Sequence, residues 1–263
     1  MLKSVVMPAS NQNQVEPLDA ETLLVTESMP ADEVIHLFTT TDLKHLVQKN
    51  GPAYDDEVCL AHLMHQQPRE FLEYPIDTIL YPSGADRSAR KIDVYLTGSV
   101  RQKKMDVLDA FENYLRGLNG SKAIRDQAMM IADELVTNGI KNAWVEGQKP
   151  FKDEPGRDGI IEFFAHAENK RLVFGCRDSF GELRLGRVLS RIQMCYDNGV
   201  AQSINHGLGG AGIGSYIVFN GCLGYYAGVE KGVRSVVCVA LPLGMGMKDA
   251  VLLPKNVHLV SIE

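Results

Sequence analysis

In DELVTNGIKNA, residues 133–143, Glu134 and Asn138 stand four positions apart. On a helix that spacing puts both side chains on one face, one turn apart. Lys141 and Asn142 extend the face by another turn, while Ala128, Ile131, Ala132, Leu135 and Gly139 form an apolar or small stripe opposite. An acid, amides and a base on one stripe suit a magnesium–phosphate site. Mg takes hard oxygen donors and keeps substrate phosphates and waters among its ligands. The plainer reading of such a stripe is a solvated helix face.

Two further stretches could carry chemistry. RLVFGCRDSFG, residues 171–181, is an apolar strand running out into Asp178, Ser179, Phe180 and Gly181. An acid at a strand end can accept a hydrogen bond from an exocyclic amine and fix a base in a pocket; an Asp there can equally form a turn. HGLGGAGIG, residues 206–214, holds five glycines in nine positions and leads into SYIVFN, a helical pattern. Glycines let a backbone approach a ligand closely, and a helix start offers free N–H groups to an anion.

The elements that must position these residues are legible from periodicity. KIDVYLTGSV alternates as a strand. Met105, Leu108, Phe111, Leu115 and Leu118 recur at helical spacing, with Asn-Gly as the stop. Ser121 opens a long helix to about residue 144, which carries Glu134 and Asn138. DGIIEFFAHAENKRLVFGCRD reads as two strands around a turn at ENK. After the glycine loop and its helix come two strands, LGYYAGVE and RSVVCVALPL. Segregated helices and hairpins argue for an α+β sandwich with antiparallel strands.

Upstream, ETLLVTE reads as a strand, PADEVIHLFTTT as a helix and LKHLVQK as a further strand. DDEVCLAHLMHQQPREFLEY reads as a helix that Pro68 interrupts. The expected organisation is a flexible N-terminus over 1–20, a small α/β module over 21–87, a main domain over 88–248 and a C-terminal tail over 249–263. YPSGADRSAR, residues 81–90, is the linker candidate. His62 and His65 share a helix face, but no carboxylate or cysteine cluster accompanies them to make a metal site.

Three motifs in order, a helix with E-x-x-x-N, a strand ending in D-x-x-G and G-x-G-x-G before a helix, resemble the histidine-kinase-like (GHKL) ATPases. Within that superfamily the chain is most similar to the anti-sigma-factor serine kinases, over roughly residues 90–245. The resemblance implies a two-layer α/β sandwich, with a mixed, largely antiparallel sheet and helices on one face. It implies ATP and Mg as cofactors and Glu134 as the base for an attacking hydroxyl or water. Asn138 would hold Mg and phosphates, with Lys141 and Asn142 beside it. Asp178, with Phe180 and Gly181, would contact the adenine. Gly210, Gly212, Ile213 and Gly214 would form the hinge of an ATP lid over 182–206, which carries Arg184, Arg187 and Arg191. The partner implied is a sigma factor, an anti-anti-sigma-like substrate or another regulator, with a homodimer compatible. One departure bears on turnover: the family's box is D-x-G-x-G, and this chain has Phe180 and Glu182 at the glycine positions. The alternative is therefore a module that sequesters a partner without catalysis.

Other glycine motifs fit less well. Gly207, Gly209 and Gly212 match G-x-G-x-x-G, but no apolar strand runs into the first glycine and too little chain follows for a doubly wound sheet. Ser215 lacks the lysine of a P-loop. DSFG stands without the lysine strand or catalytic loop of a protein kinase. A net charge of -6 gives no footprint for nucleic acid or acidic membranes. No apolar run is long enough for a bilayer, and the first residues are too weakly apolar for a secretory signal. Five scattered cysteines without a CxxC pair suggest free thiols in a cytoplasmic protein.

Overall fold

The computed structural model describes residues 2–7, 18–51, 53–84, 92–99, 104–142, 159–200, 213–245 and 253–263. In chain order the elements are β1 (Lys3–Met7), β2 (Thr22–Thr26), α1 (Ala31–Thr40), β3 (His45–Gln48), α2 (Tyr54–Gln66), α3 (Pro68–Glu73), α4 (Pro75–Leu80), β4 (Val94–Ser99), α5 (Lys104–Gly117), α6 (Lys122–Asn142), β5 (Ile160–Glu168), β6 (Arg171–Asp178), α7 (Leu185–Asn198), α8 (Gly214–Gly221), β7 (Gly224–Glu230), β8 (Arg234–Pro242) and β9 (Asn256–Ile262). The protein is α+β, with one mixed, largely antiparallel sheet of nine strands in the order β1-β2-β3-β9-β7-β8-β6-β5-β4.

Local sequence explains most boundaries. Pro68 and Pro75 each occupy a first helical position, where a missing N–H costs nothing, so one apolar run becomes three short helices. Asn169 and Lys170 both have positive φ, 51° and 60°, so the β5–β6 turn matches the twist of its strands. α6 is long because its residues from 122 to 142 contain no proline and only one glycine.

Side chains alternate across the sheet and reach two cores. Leu172, Phe174 and Cys176 of β6 face one side, with Val239 and Leu241 of β8 and Tyr225 and Ala227 of β7; α1, α5, α6, α7 and α8 cover that side. Val173 of β6, Val236 and Cys238 of β8 and Tyr226 of β7 face the other, where α2, α3 and α4 supply Leu60, Met64, Phe71, Leu72, Ile76 and Ile79. The helices of the 88–248 segment, α5 to α8, lie on the first face, as expected for that segment, and α2 to α4 of the 21–87 segment cover the second, so the sheet as a whole is covered on both faces. The physical reason is strand composition. β6 and β8 are apolar at consecutive positions, and a strand with no polar side must be covered twice.

The ends of the chain also enter the sheet. β1, inside the stretch expected to be flexible, pairs with β2 in parallel. β9, inside the expected tail, lies between β3 and β7, antiparallel to one and parallel to the other. The strands of the 21–87 segment and those of 88–248 are thus joined through the last strand of the chain.

Candidate functional site

α6 lies across β5 and β6 on the five-helix face. Gly139 sets how closely: a Cβ there would stand 3.0 Å from Cys176 Sγ and 3.5 Å from Ile161 Cγ2. Cys176 is two residues before Asp178 and shares its side of β6, so this contact brings the end of α6 near the end of that strand. Lys104, at the first turn of α5, holds α6 from the side. Its ammonium donates to Thr137 Oγ1 at 2.7 Å and pairs with Asp133 Oδ1 at 2.6 Å. Nothing in the spacing singled out Lys104; only the docking of α5 on α6 brings it to the turn of Glu134.

α8 runs antiparallel along α6 and meets it through glycines. A Cβ at Gly214 would lie 2.0 Å from Glu134 Oε2, and one at Gly221 would lie 1.9 Å from Gln127 Nε2. The Glu134 carboxylate therefore rests against the first residue of α8. That helix end carries unsatisfied N–H groups and the positive pole of the helix dipole, which favour an anion there. The opposite end of α8 receives a cation. Lys255 Nζ donates to the carbonyls of Phe219, at 2.5 Å, and Cys222, and stands 4.8 Å from the Phe219 ring centroid. Burial lowers the Lys255 pKa, against the raising influence of the Cys222 sulfur. Lys255 is a second residue that the sequence did not reveal, since it lies in the segment expected to be a tail.

Asp178 is buried at the end of β6. Its Oδ1 accepts the amide of Phe180 at 2.9 Å and that of Gly181 at 3.3 Å, closing an Asx turn. Phe180 is buried in the same apolar cluster as α6, with Gly159 held against its ring; a Cβ at Gly159 would lie 2.3 Å from Phe180 Cε1. Gly181 has φ +61°, and its hydrogens face the β7–β8 turn, where a Cβ would lie 2.3 Å from the Glu230 carbonyl. Its own carbonyl accepts the Gly232 amide at 3.2 Å. Within DSFG, Phe180 thus packs inward and Gly181 fits the loop onto the neighbouring hairpin.

The structure therefore brings Glu134 against Gly214, the residue after Ile213, with half-buried Asn138 one turn beyond Glu134. Asp178, Phe180 and Gly181 sit at the strand end on the same side of the sheet. Lys141 is half-buried near the end of α6. Gly210, Gly212 and the side chain of Asn142 lie outside the described residues. Of the expected lid, residues 185–198 form α7, whose Leu189, Ile192 and Cys195 are buried between α1 and α8. Arg184, Arg187 and Arg191 are exposed along it, and partial desolvation together with the Arg187 charge lowers the Arg191 pKa.

Among the described residues no group of three His, Cys, Asp or Glu side chains could hold a metal ion. His65 instead meets His45 edge-on, at 6.4 Å between ring centroids. No helix among the described residues is long and apolar enough to cross a membrane. No family model matches the chain, and no curated protein matches it by sequence.

Proposed function

We propose that the protein binds ATP with Mg and acts as a regulatory switch of the histidine-kinase-like ATPase type, transferring phosphate to a serine of a partner protein. The observation that carries this reading is the contact between Glu134 of α6 and Gly214 at the start of α8. It joins the first and third motifs, 80 residues apart at these two positions, at a helix end whose polarity suits a phosphate. The finer fold reading follows: β4 to β8, with α5, α6 and α8 on one face, form the ATPase core, while β1–β3, β9 and α2–α4 are additions around it.

Each residue then has a role. Asn138 supplies an amide oxygen to Mg, with Lys141 and Asn142 further along the face. Asp178 accepts from the adenine amine, beside Phe180 and Gly181. Gly210, Gly212, Ile213 and Gly214 allow phosphates to approach the amides of α8. Glu134 takes the proton from the attacking hydroxyl. Mg would neutralise charge that develops on the transferred phosphoryl group. The partner class is a sigma factor, its antagonist or a similar regulator, and the setting is the cytoplasm.

A second reading is favoured by one observation. Phe180 puts a buried ring against Gly159 at a position where the family's box has glycine, and Asp178 already accepts from two amides of its own loop. On this reading the chain sequesters its partner without turnover. Isothermal calorimetry with ATP and Mg separates the two. Heat at millimolar ATP, with turnover lost and binding kept in Glu134→Gln, is the expected result. No heat removes the kinase reading, and turnover that survives Glu134→Gln removes Glu134 as the base.

A further inference from the structure

The sheet face opposite the candidate site holds a chain of buried titratable groups that the proposed function does not use. Glu57 of α2, His258 of β9 and His45 of β3 are 2%, 0% and 1% exposed, so any charge they carry is held away from bulk water. His258 Nε2 stands 3.2 Å from Glu57 Oε2, and His258 Nδ1 stands 3.2 Å from His45 Nδ1. Glu57 Oε1 accepts from Tyr226 at 2.7 Å and from Arg171 at 3.1 Å. The Tyr226 ring stacks on His258, 5.8 Å between centroids and 4° from parallel.

The two histidines face each other at the joint with the fewest paired positions among the described strands. β3 and β9 pair at only two positions, His45 opposite His258 and Leu46 opposite Val257. The joint is supplemented by Leu259 N to the Lys44 carbonyl, Gln48 N to Asn256 Oδ1 and Gln48 Nε2 to the Lys255 carbonyl. Through it β1, β2 and β3 attach to the rest of the sheet.

We propose that the His45–His258 pair is a proton-operated latch that keeps β3 on β9 while the pair shares one hydrogen and releases the joint when a second proton arrives. One hydrogen fits between two Nδ1 atoms at this distance: one ring donates and the other accepts. With His45 Nδ1 as the acceptor, a second proton taken up there sets two N–H groups face to face and adds a charge to the buried pair. The groups around them give little relief. His62 and His65 of α2, Lys44 beside β3 and Arg171 of β6 are basic, and Tyr226 of β7 already donates to Glu57. Among the described residues Glu57 is the acid in contact with the pair, and Arg171, Tyr226 and His258 already use its oxygens, while Asp56 acts on Arg171.

Burial first, and then His258, His65, His62 and Lys44, hold the His45 pKa well below its ordinary 6.5. The sign follows by linkage. The open joint binds a proton that the closed joint refuses, so closure is complete above the ordinary value and is lost as pH falls below it. With one proton taken up, the loss is about tenfold in the closing equilibrium per pH unit. α1, which leads into β3, packs on α7, and α7 on α8, the helix that meets Glu134. Acid would thus remove support from the candidate site; this last consequence rests on the nucleotide reading, and the opening of the joint does not.

Hydrogen exchange of the full chain at about pH 7.5 and about pH 5.5, corrected for intrinsic rates, tests the latch. Protection in β1, β2, β3 and β9 should fall about tenfold relative to β5, β6 and β8. In His45→Gln, which keeps an N–H for His258 but does not titrate, that differential loss should vanish. Imidazole NMR of the unaltered chain gives a second reading: the His45 ring should stay neutral until the joint amides lose protection. The latch is refuted if His45 takes up its proton near the ordinary value with the joint still protected. It is equally refuted if acid loosens all strands alike, or if His45→Gln opens with unchanged pH dependence.

Discussion

At the scale of single residues, the informative positions are glycines that admit someone else's side chain. Gly214 is the clearest. The atoms that a Cβ would meet belong to the end of the Glu134 side chain, which can rotate away. Gly214→Ala should therefore cost under about 1 kcal/mol, a shift in Tm of roughly 2–4 °C or less. On the proposed nucleotide reading it should nonetheless lower ATP turnover, because the carboxylate is pushed from its place. Thermal melting and a turnover assay on one preparation check this: a large loss of stability with unchanged turnover would contradict it. Glu57 is the opposite kind of residue. Its carboxylate is tied to three partners in the interior, and a buried ion that loses its partner is left without compensation.

Among the elements, β6 and β8 bear the packing of both layers, and their closeness depends on Gly175. A Cβ there would lie 2.5 Å from Cys238 Sγ and 2.6 Å from the Val237 carbonyl. The carbonyl belongs to the paired strand and cannot retreat without loss of ladder bonds. Gly175→Ala should destabilise by about 1–3 kcal/mol or more. Gly186→Ala on α7 is the matched control: nothing lies within 4 Å of its Cβ, and helix propensity should make it neutral or stabilising by up to about 1 kcal/mol. Urea midpoints for the two variants should move in opposite directions or leave Gly186→Ala unchanged; a larger loss at Gly186 would count against this account of the sheet.

For the whole molecule, the last strand decides continuity. β9 is bonded to β3 on one edge and to β7 on the other, and its Val257 and Leu259 enter the larger core. Removing residues 253–263 should expose two sheet edges at once and end cooperative unfolding as one unit. Far-UV circular dichroism during heating reads this: a single transition at the Tm of the full chain would show that β9 is dispensable. The cost of an unpaired buried strand edge lies in its N–H and C=O groups, each of which loses its partner without gaining water.

Sequence by itself determined the elements with strong local signals. Helical spacing marked α5 and α6, the ENK turn marked the β5–β6 hairpin, and Pro68 marked the break after α2, because periodicity and backbone restriction act within a few residues. It placed Glu134 and Asn138 on one helix face for the same reason. Tertiary structure alone decided that β1 and β9 are strands of the central sheet, since a short apolar run becomes a strand only when a partner satisfies its backbone. It also decided that α2–α4 cover a second face, that Phe180 packs inward, and that Lys104 and Lys255 stand at the two ends of the α6–α8 pair. The His45–Glu57–His258 chain was invisible for the same physical reason. Its members are separated by more than 200 residues at the extremes, and only the pairing of β3 with β9 brings two ring nitrogens within hydrogen-bond distance.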